Sequence, residues 1–91
     1  MLRPRGTYVC DQALEEYGRA SRKFSPFNSA HEGYAVLREE VDELWDEVKR
    51  NGPVSRMREE AIQIAAMAIR FVIDVCDSPT PPSEPPKEPT E

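Results

Sequence analysis

Cysteine is scarce in this chain. Cys10 and Cys76 are the only two, far apart and at no CxxC, zinc-ribbon or haem spacing, which excludes a disulfide scaffold and predicts two free thiols. Long apolar runs are missing as well. The longest, 61–73, is interrupted by Gln63 and Arg70 and falls short of the roughly 20 residues that span a bilayer, so no membrane crossing is expected. Residues 1–7 are polar, carry Arg3 and Arg5, and lack the apolar stretch of a signal peptide, which predicts a cytoplasmic location. Basic charge is in deficit, with 12 Lys and Arg against 17 Asp and Glu and a net charge of -5. Direct nucleic-acid binding, which wants a basic face, is therefore not expected. An acidic chain that handles phosphates needs a cation between itself and the ligand. Strand patterning and internal repeats are absent too.

Length excludes a multidomain enzyme: 91 residues hold one core. Six of the nine prolines fall in 78–91, a segment without aliphatic or aromatic residues, which reads as a disordered, proline-rich tail acting as linker or solubiliser, or as a ligand for a proline-recognising domain. The foldable part, 1–77, is small enough to need a disulfide, a metal or a partner subunit.

What is present is helical periodicity. Cys10, Leu14, Tyr17, Ser21 and Phe24 recur at helical spacing and predict a helix over 8–23, which Ser25-Pro26-Phe27-Asn28 breaks. A capping box, Ser29-Ala30-His31-Glu32, opens a second helix over 30–50. Leu37, Val41, Leu44 and Val48 form its apolar stripe, and Asn51-Gly52-Pro53 stops it. A third helix over 55–76 is apolar on every side, from Ala61 and Ile62 to Ile73 and Val75. Two short helices do not cover such a surface, so the expected architecture is an all-α, three-helix chain assembling into an oligomeric helical bundle, with Ala65 and Ala66 permitting close approach.

Chemistry concentrates in 39–47, which holds six acids in nine residues. Acidic runs on helices are commonly solvated faces. At about 100° per residue, however, Glu40 and Glu47 flank the apolar stripe, with Glu43 just beyond. Glu40 and Glu43 are one turn apart, so their charges repel unless well solvated or bridged by a divalent ion. The third helix offers Glu60, with Gln63 one turn later and Glu59 adjacent. Oxygen ligands from two antiparallel helices suit a hard cation, Mg²⁺, that keeps several waters. His31, in the first helical turn, reads as a cap or surface residue rather than a ligand. Trp45, beside the stripe, reads as core or interface rather than a base-stacking platform. Asp74 and Arg70 are four apart and either pair along the helix or face the site.

Glu39-Glu40-x-x-Glu43, sixteen residues, then Glu60-x-x-Gln63 on an apolar helix resembles the all-α nucleoside triphosphate pyrophosphohydrolases of the MazG superfamily. The flanks Phe27-Asn28-Ser29-Ala30-His31-Glu32-Gly33-Tyr34, Val36 to Trp45, and Arg58 to Phe71 are similar to the small phage and bacterial MazG-like proteins, so the resemblance covers roughly residues 24–77. It implies a helical homodimer or homotetramer that hydrolyses a nucleoside triphosphate between the α and β phosphates, giving monophosphate and pyrophosphate. It implies Mg²⁺, with Mn²⁺ as the alternative ion, held by Glu40, Glu43, Glu60 and Gln63. Glu39 would activate the attacking water or orient a ligand, with Glu59 and Asp74 as additional acids. Lys23, Arg38 and Arg70, and further Arg56 and Arg58, are the cationic phosphate contacts to be considered. Where the family motif ends in aspartate this chain has Gln63, a neutral amide that coordinates through its carbonyl but removes one negative charge. The alternative expectation is therefore a weakly active or inactive oligomer of the same fold, binding a nucleotide or a protein. A third is an acidic helix that pairs with a basic partner.

Overall fold

The computed structural model describes residues 4–78; the proline-rich tail lies outside them apart from Ser78. The chain is all-α: α1 spans Arg5–Lys23, α2 Ala30–Lys49 and α3 Val54–Phe71, and α3 runs on into one π-helical turn, Val72–Cys76. No strand occurs among the described residues, and none of their helices is long and apolar enough to cross a membrane.

α1 begins three residues before the expected start at residue 8. Pro4 sits at the N-cap, and its carbonyl accepts from the N–H groups of Thr7 and Tyr8 at 3.0 and 3.4 Å. Its inward face is also rotated from the expected one. Ala13 and Ala20 are buried and Tyr17 packs on the core, whereas Cys10, Leu14 and Phe24 are exposed. Small side chains let the backbones of two helices approach closely, and that closeness outweighs the larger apolar stripe.

The capping box of α2 forms with a shift. Ser29 Oγ accepts from Glu32 N at 3.0 Å, and the Glu32 carboxylate accepts from Asn28 N at 2.5 Å, one residue outside the cap. The helix ends in a Schellman motif. Asn51 takes the left-handed conformation, with φ 54°, while Asn51 N donates to Val48 O at 3.1 Å and Gly52 N donates to Glu47 O at 2.8 Å. Pro53 then caps α3, so four residues reverse the chain and lay α3 antiparallel to α2.

α3 is the central element, with α1 and α2 both packed on it. The core holds Ala20, Phe27, Ala66 and Met67, with Tyr17, Val36, Leu37, Phe71 and Val75 packed around them. Ala66, fully enclosed, serves this chain's own core. Gly33 is the point of closest approach, because a Cβ there would lie 2.7 Å from the Phe71 ring and 3.0 Å from Phe27. The expected stripe on α2 divides: Leu37 and Leu44 turn partly inward, while Val41 and Val48 join Tyr34 and Trp45 on an exposed apolar face. Cys10 and Cys76 are free and exposed.

Candidate metal centre

The antiparallel α2–α3 hairpin brings one turn of α2 opposite the second turn of α3. Glu40 and Glu43 project from the first and Glu60 from the second, and one carboxylate oxygen of each lies within 4.8 Å of the others. Octahedral Mg²⁺ binds oxygens at about 2.1 Å, so its ligands stand about 3 to 4 Å apart. A small side-chain rotation would be needed to close this set around one ion. The donors are also chemically suited, since three carboxylates favour a hard, oxyphilic cation.

The carboxylates act on one another electrostatically. Burial, reinforced by the charges of Glu43 and Glu60, pushes Glu40 from its ordinary 4.5 up to about 7. Glu60 is raised as well, by burial and then by its contact with Glu43, with Arg56 pulling the other way. A divalent cation would reverse the sign of this effect by favouring the charged forms.

Two concavities flank the cluster. A cleft of about 550 Å³ runs between the end of α1, the 24–28 loop, α2 and α3. Glu39, Glu40 and Gln63 line one part of it, and Arg19, Lys23 and Arg70 contribute positive charge. Phe24, Phe27, Val36 and Met67 supply apolar surface. A second hollow, of about 470 Å³, is walled by Glu43, Asp46, Glu47, Arg50, Arg56 and Glu60. Gln63 thus stands in the cleft wall with Glu39 and Glu40.

Of the remaining expected site residues, Lys23 lies over the Phe24 ring, 5.5 Å from its centroid. Arg70 is buried: it stacks on Phe27 at 4.2 Å, donates to Ser25 O at 2.6 Å and lies 3.5 Å from Asp74. Asp74 also accepts from Phe27 N at 3.2 Å. Both readings of that pair hold for Arg70, which is ion-paired along its helix and also lines the cleft, while Asp74 fastens the loop. Glu59 is exposed, 3.9 Å from Arg56. Arg38 points elsewhere, engaged with Tyr34 and with Asp42 at 3.5 Å, both of which raise its pKa. Arg58 donates to Gln12 and ties α3 to α1. His31 is exposed, and Trp45 is 56% exposed beneath Lys49.

The sequence places Glu47 beside the apolar stripe without marking it as a site residue, and it does not single out Arg50 or Arg19. Glu47 is buried, with Oε2 2.6 Å from Arg50 and 3.7 Å from Arg56, and with Oε1 lacking a hydrogen-bond partner among the described residues. Its signal was available, because Glu47 follows Glu40 by seven residues and flanks the apolar stripe. No protein-family model, no curated protein and no solved structure matches this chain.

The raised pKa of Glu40 has a measurable sign. A carboxyl that binds its proton more tightly when folded contributes stability that is complete below its unfolded value, near 4.5, and lost as pH rises through about 7. In EDTA, Glu40→Gln should therefore gain in Tm relative to the parent chain as pH goes from 5 to 8, and Mg²⁺ should reverse the gain. A difference in Tm that is flat with pH would show that burial and the neighbouring carboxylates together do not raise the Glu40 pKa.

Proposed function

We propose that this chain is a Mg²⁺-dependent nucleoside triphosphate pyrophosphohydrolase. The observation that carries the reading is the convergence of Glu40, Glu43 and Glu60 beside a cleft with both cationic and apolar walls. It agrees with the resemblance of 24–77 to MazG-like enzymes and with the need of an acidic chain for a cation before it can hold a tetra-anion. Glu40, Glu43 and Glu60 would hold the ion, and Gln63, which shares the cleft wall with Glu40, would offer a carbonyl oxygen. Bound there, Mg²⁺ supplies neutralisation of phosphate charge. Glu39, exposed on the cleft wall next to Glu40, would accept the proton of a water attacking the α-phosphorus. The α–β bridging bond breaks, the monophosphate keeps the new oxygen, and pyrophosphate leaves. Lys23 would meet phosphate oxygens in the cleft, and Arg70, buried against Phe27 and Asp74 in the same wall, would add positive potential.

A homo-oligomer belongs to the same proposal. Tyr34, Val41, Trp45 and Val48 expose a continuous apolar face on α2, and no large side chain of the described residues is fully enclosed. A second reading, a binding module of the same fold without turnover, is favoured by Gln63, whose amide leaves the site one charge short of the family pattern. The deciding experiment measures pyrophosphate release from ribo- and deoxyribonucleoside triphosphates in Mg²⁺ and in EDTA. Metal-dependent release establishes the enzyme and its substrate together. Silence across the panel from a folded protein leaves the binding module.

A further inference from the structure

We infer that the hollow walled by Arg50 and Arg56 is a subsite for the pyrophosphate end of a nucleotide, which gives the metal centre a direction; the inference rests on the metal-centre reading above. The three carboxylates form a partition. Glu40 faces the cleft, whereas Glu43 and Glu60 face the hollow, so a phosphate chain held at the partition extends toward both. The two sides differ in chemistry. The cleft offers Phe24, Val36 and Met67, surfaces suited to a nucleoside, and the hollow has only charged side chains in its walls.

Glu47 organises the hollow. Its side chain is 6% exposed, and its Oε2 draws Arg50 to 2.6 Å and Arg56 to 3.7 Å. Both guanidinium groups keep most of their five N–H donors, being 65% and 54% exposed, so their forks are aimed without being consumed. Arg56 also stands in the first turn of α3, where the Pro53 cap supplies no side-chain acceptor and the helix dipole adds positive potential.

The charges make anion binding conditional. Glu43, Asp46, Glu47 and Glu60 oppose Arg50 and Arg56 in the walls, an excess of two negative charges. A divalent ion at the partition cancels that excess, so that an anion meets the ion and the two guanidinium groups instead of uncompensated carboxylates. The hollow therefore takes a polyphosphate only after metal has bound.

The test is calorimetric titration of inorganic pyrophosphate, and separately of nucleoside monophosphates, into the full chain in Mg²⁺ and in EDTA. Variants are Arg50→Gln and Arg56→Gln, with Arg22→Gln, which lines neither concavity, as the charge-matched control. Each single variant leaves Glu47 one arginine. Pyrophosphate should bind in Mg²⁺ and not in EDTA, each hollow variant should lose about tenfold in its affinity, and monophosphate affinity should be unchanged. If a glutamine variant does not fold, Arg56→Lys keeps the charge without the fork and should show a smaller loss. No pyrophosphate binding by the parent chain, or equal binding by parent and folded variants, overturns the subsite. Absent turnover with this binding pattern intact would retire the hydrolase and keep the subsite. Turnover with pyrophosphate affinity indifferent to both arginines would retire the subsite alone.

Discussion

Glu43→Gln is expected to abolish metal-dependent pyrophosphate release, by about 100-fold or more, while leaving the chain folded. Glu43 is the member of the cluster that touches everything else: its charge acts on Glu40 and Glu60, and it lines the hollow on the far side. Glutamine keeps the shape and one acceptor oxygen but removes the charge that a hard cation needs. The same change relieves like-charge repulsion, so in EDTA the variant should be as stable as the parent or more stable by a few tenths of a kcal/mol. Two assays check this together, pyrophosphate release and the Tm increment produced by Mg²⁺, because an ion that binds only the folded state raises Tm. Loss of both assigns the metal to the cluster. Turnover at the parental rate would remove Glu43 from the mechanism, and a Tm increment that persisted in full would place the ion elsewhere.

Gly33→Ala carries the largest expected stability loss for the smallest chemical change. Alanine normally favours a helix over glycine by about 1 kcal/mol. At Gly33 the added methyl meets the Phe71 and Phe27 rings at 2.7 and 3.0 Å, inside any ordinary contact. Both rings are packed in the core, so α2 has to move away from α3. Overpacking of this kind costs about 1–3 kcal/mol, and in a domain of this size each kcal/mol is about 4–8 °C of Tm. Gly18→Ala is the matched control, since its methyl meets only the Arg22 side-chain end at 3.4 Å. It should stabilise by about 0.5–1 kcal/mol. Thermal melts of the two variants should move in opposite directions; a gain in both would mean that α2 and α3 are less closely packed at Gly33 than described.

Much of this was legible in the sequence because the signals were local. The Ser29 to Glu32 box, Pro26, and the Asn51-Gly52-Pro53 stop each act through backbone groups a few residues away, and each marks a boundary found within a residue or so. Glu40, Glu43 and Glu60 were selected because two helical periods and one short turn determine their separation. The helix faces were less legible. Periodicity finds an apolar stripe but not which edge of it a neighbour covers, and close approach through Ala13, Ala20 and Gly33 rotated α1 and α2 away from their bulkier residues. The burial of Arg70 and Glu47 also depends on long-range packing. Arg70 is enclosed by a loop more than forty residues earlier in the chain, through Ser25 and Phe27. Nothing in the apolar run of α3 announced the π turn at Val72–Cys76.

The four-residue reversal between α2 and α3 has a bearing on the order in which the molecule assembles. All three carboxylates lie on one helical hairpin, separated along the chain by a short, stiff connection, so their meeting requires little loop closure. The cleft needs α1 as well, whose C-terminal end reaches the hairpin through contacts distant in sequence. During folding the hairpin that carries the three carboxylates can therefore form first, and on the proposed reading an ion captured by the nascent hairpin would favour the antiparallel pairing onto which α1 later docks.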